Sequence, residues 1–220
     1  MSTVAKIHLS TFETELIQNK EWILTKHSII NKVYDLFGEL NEVYKQIAND
    51  EKALHEFYNG NGKISKGENY EGLPYVILDY PALFSKENIF AIRTMFWWGN
   101  FFSVTLHMSG EKYILNGDYS NIHTYLIENN FFICIGESEW QHTFDASNYI
   151  SAKELELYKF REIANRKFFK ISKNLELIKW SEAPGFLEKS FREIIDFIKI
   201  SFPTGEKVLS PAFPKAGSGL

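Results

Sequence analysis

Apolar and polar positions divide the chain into a helical first part and a sheet-like centre. Between residues 28 and 48, apolar residues recur every three or four positions and form one stripe over five turns. The stripe comprises Ile29, Val33, Leu36, Phe37, Leu40, Val43, Tyr44 and Ile47. It predicts a helix packed on a sheet, with a dimerisation seam as the alternative. Ser10 and Glu13 have capping-box spacing and predict a preceding helix to about Leu24, and a short helix is expected to end at Tyr58.

The densest aromatic region lies in the centre of the chain and predicts a β-hairpin. Two apolar segments, residues 90–98 and 101–108, flank the pair Gly99 and Asn100. A glycine in the first position of a two-residue connection suits a type II′ turn, because it adopts positive φ without a Cβ clash. Bulky aromatic residues also favour strands. The alternative is a helix that begins at Ser85, since apolar residues of the first segment also fall at helical spacing.

The two-residue turn also predicts the register of the hairpin. Trp98 is expected opposite Phe101, and Ile92 opposite His107. Side chains alternate between the two faces of a strand, so this register places Arg93 on the face away from His107. The other residues of the Arg93 face are apolar: Ala91, Met95, Trp97, Phe102, Val104, Leu106 and Met108.

Arg93 is therefore the first candidate for a functional residue. An unpaired guanidinium among apolar side chains is very unfavourable, so Arg93 needs a partner. A structural ion pair, with Asp79 or Glu137, is one interpretation. The other is an anion-binding arginine at the floor of a pocket, because the guanidinium fork recognises carboxylates and phosphates.

The remaining pattern predicts further strands and helices. Strands are predicted at residues 75–80, 111–115, 131–135, 137–144, 168–171 and 175–180, and helices at residues 118–128, 151–166 and 186–200. The predicted fold class is α+β, with a mostly antiparallel sheet and with N-terminal helices and a C-terminal helix packed against it.

A single α+β domain is expected over residues 1–202. It divides into a helical part at 1–58, a flexible loop rich in glycine and asparagine at 59–72, and a sheet-rich part at 73–202. The tail, residues 203–220, carries several prolines and glycines and is expected to be loosely ordered.

Composition and charge restrict the class of function. The 220 residues are 45% hydrophobic and carry a formal net charge of −4, which argues against a general nucleic-acid binder. The basic residues between 153 and 170 alternate with glutamates and predict a solvated helix face. The N-terminus has no apolar signal segment, and no window approaches about 18 uncharged apolar residues, so a cytoplasmic protein without membrane association is expected. Cys134 lies in an apolar run and is expected to be a buried, inert thiol.

The sequence contains no catalytic or cofactor motif of known mechanism. It lacks the glycine-rich nucleotide-binding loops, the nucleophile elbow of α/β-hydrolases, the paired histidines of zinc proteases and paired Cys-x-x-Cys motifs. No cofactor and no metal is therefore expected. A metal site would have to combine His107 and His142 with Glu137 or Glu139, and ordinary partly buried histidines are the preferred interpretation.

Two functional hypotheses follow from these features. The first is a non-catalytic binding or protein-interaction module, monomeric or homodimeric, whose aromatic hairpin holds a protein partner or a small anionic or aromatic ligand. The second is an enzyme with dispersed site residues, in which the arginine orients a small anionic substrate and a histidine transfers protons. The candidate binding residues are Arg93, Trp98, Phe101, His107 and His142.

Overall fold

A computed structural model of the chain describes residues 7–51 and 62–203, which form a seven-stranded antiparallel sheet and five α-helices. The strands are β1 Lys63–Tyr70, β2 Leu73–Phe84, β3 Ile89–Trp97, β4 Phe101–Ser109, β5 Phe132–Cys134, β6 Tyr149–Ser151 and β7 Phe168–Glu176. The helices are α1 Thr11–Gln18, α2 Lys20–Asp50, α3 Tyr119–Glu128, α4 Leu157–Ala164 and α5 Ala183–Ser201. The strands lie in the order β1-β2-β3-β4-β7-β5-β6, and every pair is antiparallel. The predicted α+β class is confirmed.

The main core lies between the helices and one face of the sheet, called the helix face here. The apolar stripe of α2 packs there as predicted, and its residues Val33, Phe37 and Tyr44 are fully buried. The ring of Tyr44 stacks on Phe191 of α5 at a centroid distance of 3.8 Å. Its hydroxyl lies 3.1 Å from the hydroxyl of Thr94 on β3, so the helix pair is fixed on the sheet by packing and by a polar contact.

The central hairpin is present, but its predicted register is wrong by one residue. Trp97 pairs with Phe101, and the connection contains three residues, 98–100, closed by a hydrogen bond from the Asn100 amide to the Trp97 carbonyl at 3.0 Å. Gly99 supplies the positive φ of +73° in either turn, so the sequence does not distinguish the two loop lengths. Because a shift of one residue exchanges the faces, Arg93 now shares its face with His107.

Strand β1 occupies most of the segment that was predicted to be a flexible loop. Residues 63–70 form β1, which pairs with β2, and the turn at Glu71 and Gly72 retains a loop conformation, with both residues at positive φ. β1 is an edge strand with no buried residue, which explains why its sequence lacks an apolar pattern. Residues 52–61, which include the short helix predicted to end at Tyr58, lie outside the described residues.

Four other predicted elements differ in the structure. Residues 111–115, predicted as a strand, contain a 3₁₀ turn at Glu111–Tyr113. The segment predicted as a hairpin is instead the single strand β7 followed by the 3₁₀ segment Leu177–Glu182. Residues 137–144 form no strand, and the helix predicted at 151–166 is reduced to a 3₁₀ turn and α4. The predicted tail lies outside the described residues beyond position 203.

The first helical segment projects beyond the core. Asn19 ends α1 and caps α2 by accepting a hydrogen bond from the Trp22 amide. The helix predicted from Ser10 to about Leu24 is therefore divided in two at this residue. No residue of α1 is buried, and the first buried residue of α2 is Ile30. Among the described residues, no helix combines the length and the apolar character required to cross a bilayer.

Candidate functional site

A row of polar residues crosses the second face of the sheet, called the loop face here. Asp79 on β2 is the register partner of Arg93 on β3, which is opposite Thr105 on β4, which is opposite Ser172 on β7. The hydroxyls of Thr105 and Ser172 lie 2.7 Å apart, and both residues are buried. Residues 136–148, between β5 and β6, supply side chains that meet this row and its neighbours, and they are called the 136–148 loop.

Arg93 lies in a hydrogen-bonded ion pair rather than among apolar side chains. Its Nε and Nη2 donate to the two carboxylate oxygens of Asp79 at 2.8 Å and 3.0 Å. Asp79 is only 5% exposed, so each charge compensates the other in a weakly solvated place. The third nitrogen, Nη1, lies 3.2 Å from Nε2 of His142. Nε2 accepts this hydrogen bond, because a guanidinium can only donate.

His107 joins the loop face to the 136–148 loop through Glu139. Its Nε2 lies 3.0 Å from a carboxylate oxygen of Glu139, and its ring meets Trp140 edge to face. Burial, followed by the positive charges of Lys170 and Arg93, lowers the pKa of His107 to about 3. The carboxylate of Glu139 acts in the opposite direction, but its side chain is 28% exposed and partly solvated. His107 is therefore neutral at pH 7 and donates Nε2–H to the carboxylate.

Lys170 fixes the backbone of the 136–148 loop to the sheet. This lysine on β7 is fully buried, and its Nζ donates to the carbonyl oxygens of Glu139 and Gln141 at 3.0 Å and 2.7 Å. Burial is the main cause that lowers its pKa to about 8. The loop geometry thus depends on a lysine that loses part of its hydration on burial and gains hydrogen bonds to two carbonyl oxygens.

His142 connects the same loop to Arg93 and to the edge of the sheet. Its backbone amide donates to the hydroxyl of Tyr70 on β1 at 2.7 Å, and the two rings lie 5.6 Å apart. Burial, and then the positive charges of Lys170 and Arg93, hold the pKa of His142 well below its usual value. The loop is thus held through side chains of β1, β3, β4 and β7, and it covers the charged row from solvent.

The structure brings together three of the five predicted site residues. Arg93 and His107 lie on the sheet beneath the 136–148 loop, and His142 reaches them from that loop. Trp98 and Phe101 lie at the hairpin tip, where both are half-buried. Trp98 packs on Phe96 in the main core, while Phe101 lies between Trp97 and Phe144, at 5.4 Å and 5.0 Å from their ring centroids. The tip does not present the two rings as an exposed apolar patch.

An open cleft of about 660 Å³ adjoins the buried cluster. Its lining residues are Ser109, Ile135, Gly136, Glu137, Glu139, Arg166, Lys167 and Phe168. Glu139 belongs to both the cleft and the buried cluster, since the residue lines the cleft and its carboxylate accepts the hydrogen bond from His107. Arg166 is oriented by a hydrogen bond from its Nη1 to the carbonyl of Ile135 at 2.8 Å. Both signs of charge therefore face the cleft.

Two residues of the cluster were not recognised from the sequence. Lys170 falls in the predicted strand 168–171 but was grouped with the basic residues of a solvated face, whereas it is buried on β7 against the 136–148 loop. The available signal was a single lysine inside an apolar, alternating run, the same signal that singled out Arg93. Tyr70 was missed because it falls in the segment predicted as a flexible loop. Among the described residues, no group of three or more histidine, cysteine, aspartate or glutamate side chains is placed to hold a metal ion.

Comparison of the chain with protein-family models, with curated proteins and with solved structures gives no match. The class of the protein therefore follows from its own fold and site geometry alone. It is an α+β protein with a charged cluster closed by a loop on one face of its sheet and a helical extension at its N-terminus.

Proposed function

We propose that this protein is a non-catalytic protein-interaction module whose binding surface is its N-terminal arm, residues 7–24. The observation that carries the proposal is the distribution of exposed apolar side chains. Seven of the large hydrophobic residues that are exposed belong to the arm: Ile7, Leu9, Phe12, Ile17, Trp22, Ile23 and Leu24. Exposed large apolar side chains concentrated in one short segment are typical of a protein–protein contact.

The state of the charged cluster supports a non-catalytic role. A group that performs acid–base or nucleophilic chemistry must reach a substrate, and its reactive atom must be available to it. Here Arg93 is paired with Asp79, Lys170 is held by two carbonyls, and His107 donates to Glu139. These contacts explain the cluster as a structural anchor that holds the 136–148 loop on the sheet.

The aromatic hairpin, which the sequence suggested as the binding surface, gives way to the arm in this proposal. The rings at the hairpin tip already have intramolecular partners, so binding there would require them to repack. The arm requires no such change, because no residue of α1 is buried. An amphipathic helix that offers an apolar face to a partner groove or helix is a common mode of protein recognition.

Site-specific photocrosslinking in the native host tests this proposal. A photoreactive phenylalanine analogue at Trp22, on the arm, should give one discrete protein adduct, identified by mass spectrometry of its peptides. The same analogue at Ile178, which is 88% exposed on the 3₁₀ segment after β7, is the matched control and should give none. Equal labelling at both positions, or no adduct at Trp22, would reject the arm as a binding surface.

A second candidate function is an enzyme that acts on a small anionic substrate. The observation in its favour is that Arg93, His107 and His142 converge on one face, next to a cleft of a size that suits a small ligand. In this alternative, movement of the 136–148 loop would free the arginine to orient the substrate and a histidine to transfer a proton. Native mass spectrometry of the purified protein tests it. A co-purifying small molecule that is absent from a Glu139→Ala variant would support it, and a bare chain mass would count against it.

A further inference from the structure

We infer that the partner of the N-terminal arm is a second copy of the same chain, bound arm against arm about a twofold axis. This inference rests on the proposed function, since it names the occupant of the proposed surface. A twofold dimer places the same surface of both copies in contact, so one apolar patch is sufficient for both sides.

The first argument is the continuity of the apolar stripe of α2. Ile23, Ile30, Phe37 and Tyr44 follow one another at intervals of seven residues, the spacing of a helical seam. The last three are buried against the sheet and α5, whereas Ile23 is exposed. The seam therefore continues past the edge of the core onto the arm, where Ile23 retains 38% of its full exposure.

The second argument is the stability of α1. It contains eight residues and none is buried, although isolated helices shorter than about 12 to 15 residues are marginal in water. The capping box between Ser10 and Glu13 satisfies two amide groups and contributes only about 1 kcal/mol. A helix this short is stable when it buries apolar side chains, and Phe12 and Ile17, each 70% exposed, are available for burial by a partner.

The third argument is the area of the surface. The seven arm side chains retain between 38% and 87% of their full exposure. Summed over all sides of the arm, they expose on the order of 900 Å² of mostly apolar surface, and each partner buries about 800 Å² in a stable interface of standard size.

The charges of the arm fit a second copy better than a membrane surface. Its ionisable side chains are His8, Glu13, Glu15, Lys20 and Glu21, so both signs are present and the formal charge is −2 with His8 neutral. Helices that bind membrane surfaces are rich in lysine and arginine on the polar face, whereas this arm carries one lysine and three glutamates. Two arms with mixed charges can approach without strong repulsion, and opposite charges can be paired across the twofold axis.

The oligomeric state of the full chain tests the inference. Light scattering after gel filtration should give twice the chain mass of 25.6 kDa at micromolar concentration. The double variant I17E/W22E should be monomeric, with its dissociation constant raised at least 100-fold, because four carboxylates would enter the dimer contact. Ile178→Glu, which changes an exposed isoleucine outside the arm, is the control and should remain dimeric.

The outcomes separate this inference from the proposed function. A monomeric wild-type chain at 100 µM, or a double variant that remains dimeric, would overturn the inference. If the chain is monomeric but the Trp22 photocrosslink identifies another protein, the arm is still a binding surface and only its occupant is different. Circular dichroism of the double variant verifies that it is folded, which is expected because both substituted residues are exposed.

Discussion

At the residue scale, the ion pair of Arg93 and Asp79 determines whether the loop face is stable. Both side chains are largely buried, at 15% and 7% exposure, so the loss of either partner leaves a poorly solvated charge. Such an orphaned charge typically costs about 3 to 5 kcal/mol, far more than the pair contributes relative to apolar replacements. The pair is thus more important as a constraint on substitution than as a source of net stability.

Arg93→Ala is expected to lower the free energy of unfolding by about 3 kcal/mol or more, because Asp79 then remains buried and uncompensated. Urea unfolding followed by circular dichroism measures this change. Arg192→Ala is the matched control: Arg192 pairs with Glu188 on the exposed surface of α5, and its loss should cost about 0.5 kcal/mol at most. Equal effects of the two substitutions would contradict the burial assigned to Arg93.

His107 makes the protein sensitive to acid. Its pKa is about 3 when folded and 6.5 in the unfolded reference, so between these values the unfolded chain binds more protons. The free energy of unfolding must therefore fall as the pH falls from about 6.5 towards 3. For His107 alone the loss is about 3 kcal/mol at pH 4, and His142 acts in the same direction.

The variant His107→Gln retains a donor for Glu139 but removes the titrating ring. Its loss of stability between pH 7 and pH 4, measured by urea unfolding, should be smaller than that of the wild type by about 3 kcal/mol. His27→Gln, an exposed histidine on α2, is the control and should follow the wild type. A His107→Gln variant with the full acid loss would show that this ring is not buried and neutral.

At the element scale, the turn of the central hairpin fixes the register of the sheet and thereby the composition of the site. Gly99 has a φ of +73°, and an added Cβ would meet no atom within 4 Å. A substitution there is therefore strained only in its backbone, which costs about 1–2 kcal/mol for an L-residue. The effect of the turn on stability can be measured without interference from packing.

Gly99→Ala should destabilise the protein by about 1–2 kcal/mol in thermal or urea unfolding. Gly38→Ala is the matched control, because Gly38 lies within α2 and its added Cβ also meets no atom. The control should stabilise the protein by about 0.5–1 kcal/mol, since alanine is the better helix former. Opposite signs for the same chemical change are expected, and a neutral Gly99→Ala would argue against the positive φ of Gly99.

The sequence predicted the elements that bury a periodic face and missed those that do not. The α2 stripe and the hairpin strands were recognised because burial selects apolar residues at fixed spacing. β1 was missed since an edge strand can be polar, and the 136–148 loop imitated a strand because alternate residues, such as Trp140 and His142, face the sheet. The residues that share a face with Arg93 depend on the register of the hairpin. Because the turn contains three residues and not the predicted two, Arg93 lies on a polar face and not on the predicted apolar face.

At the scale of the whole molecule, α2 determines the shape. Its 31 residues span about 46 Å, while its buried residues begin only at Ile30, so the first third of the helix extends past the sheet. An ion pair between Lys26 and Glu68 connects this helix to β1 two residues after the arm ends at residue 24. The molecule thus consists of a sheet covered by helices and of a helical arm that contributes no residue to the core.

A dimer held by the arms makes thermal stability depend on concentration. The Tm of the wild type should rise as the protein concentration is increased from 1 to 100 µM, because association stabilises the folded state by mass action. The variant I17E/W22E should show the same Tm at all concentrations. Differential scanning fluorimetry over this range measures both, and a wild-type Tm that stays constant would contradict an arm-mediated dimer.

The attachment of the 136–148 loop has a practical consequence for protein engineering. Connections on a protein surface usually accept inserted peptides, which makes them the first choice for affinity tags and fluorescent reporters. This connection is tied to four strands, so an insert would detach Lys170 and His107 from their partners and leave them buried without compensation. The tight turn at Glu71–Gly72, where an added Cβ on Gly72 meets nothing, is the permissive position for a genetic insertion.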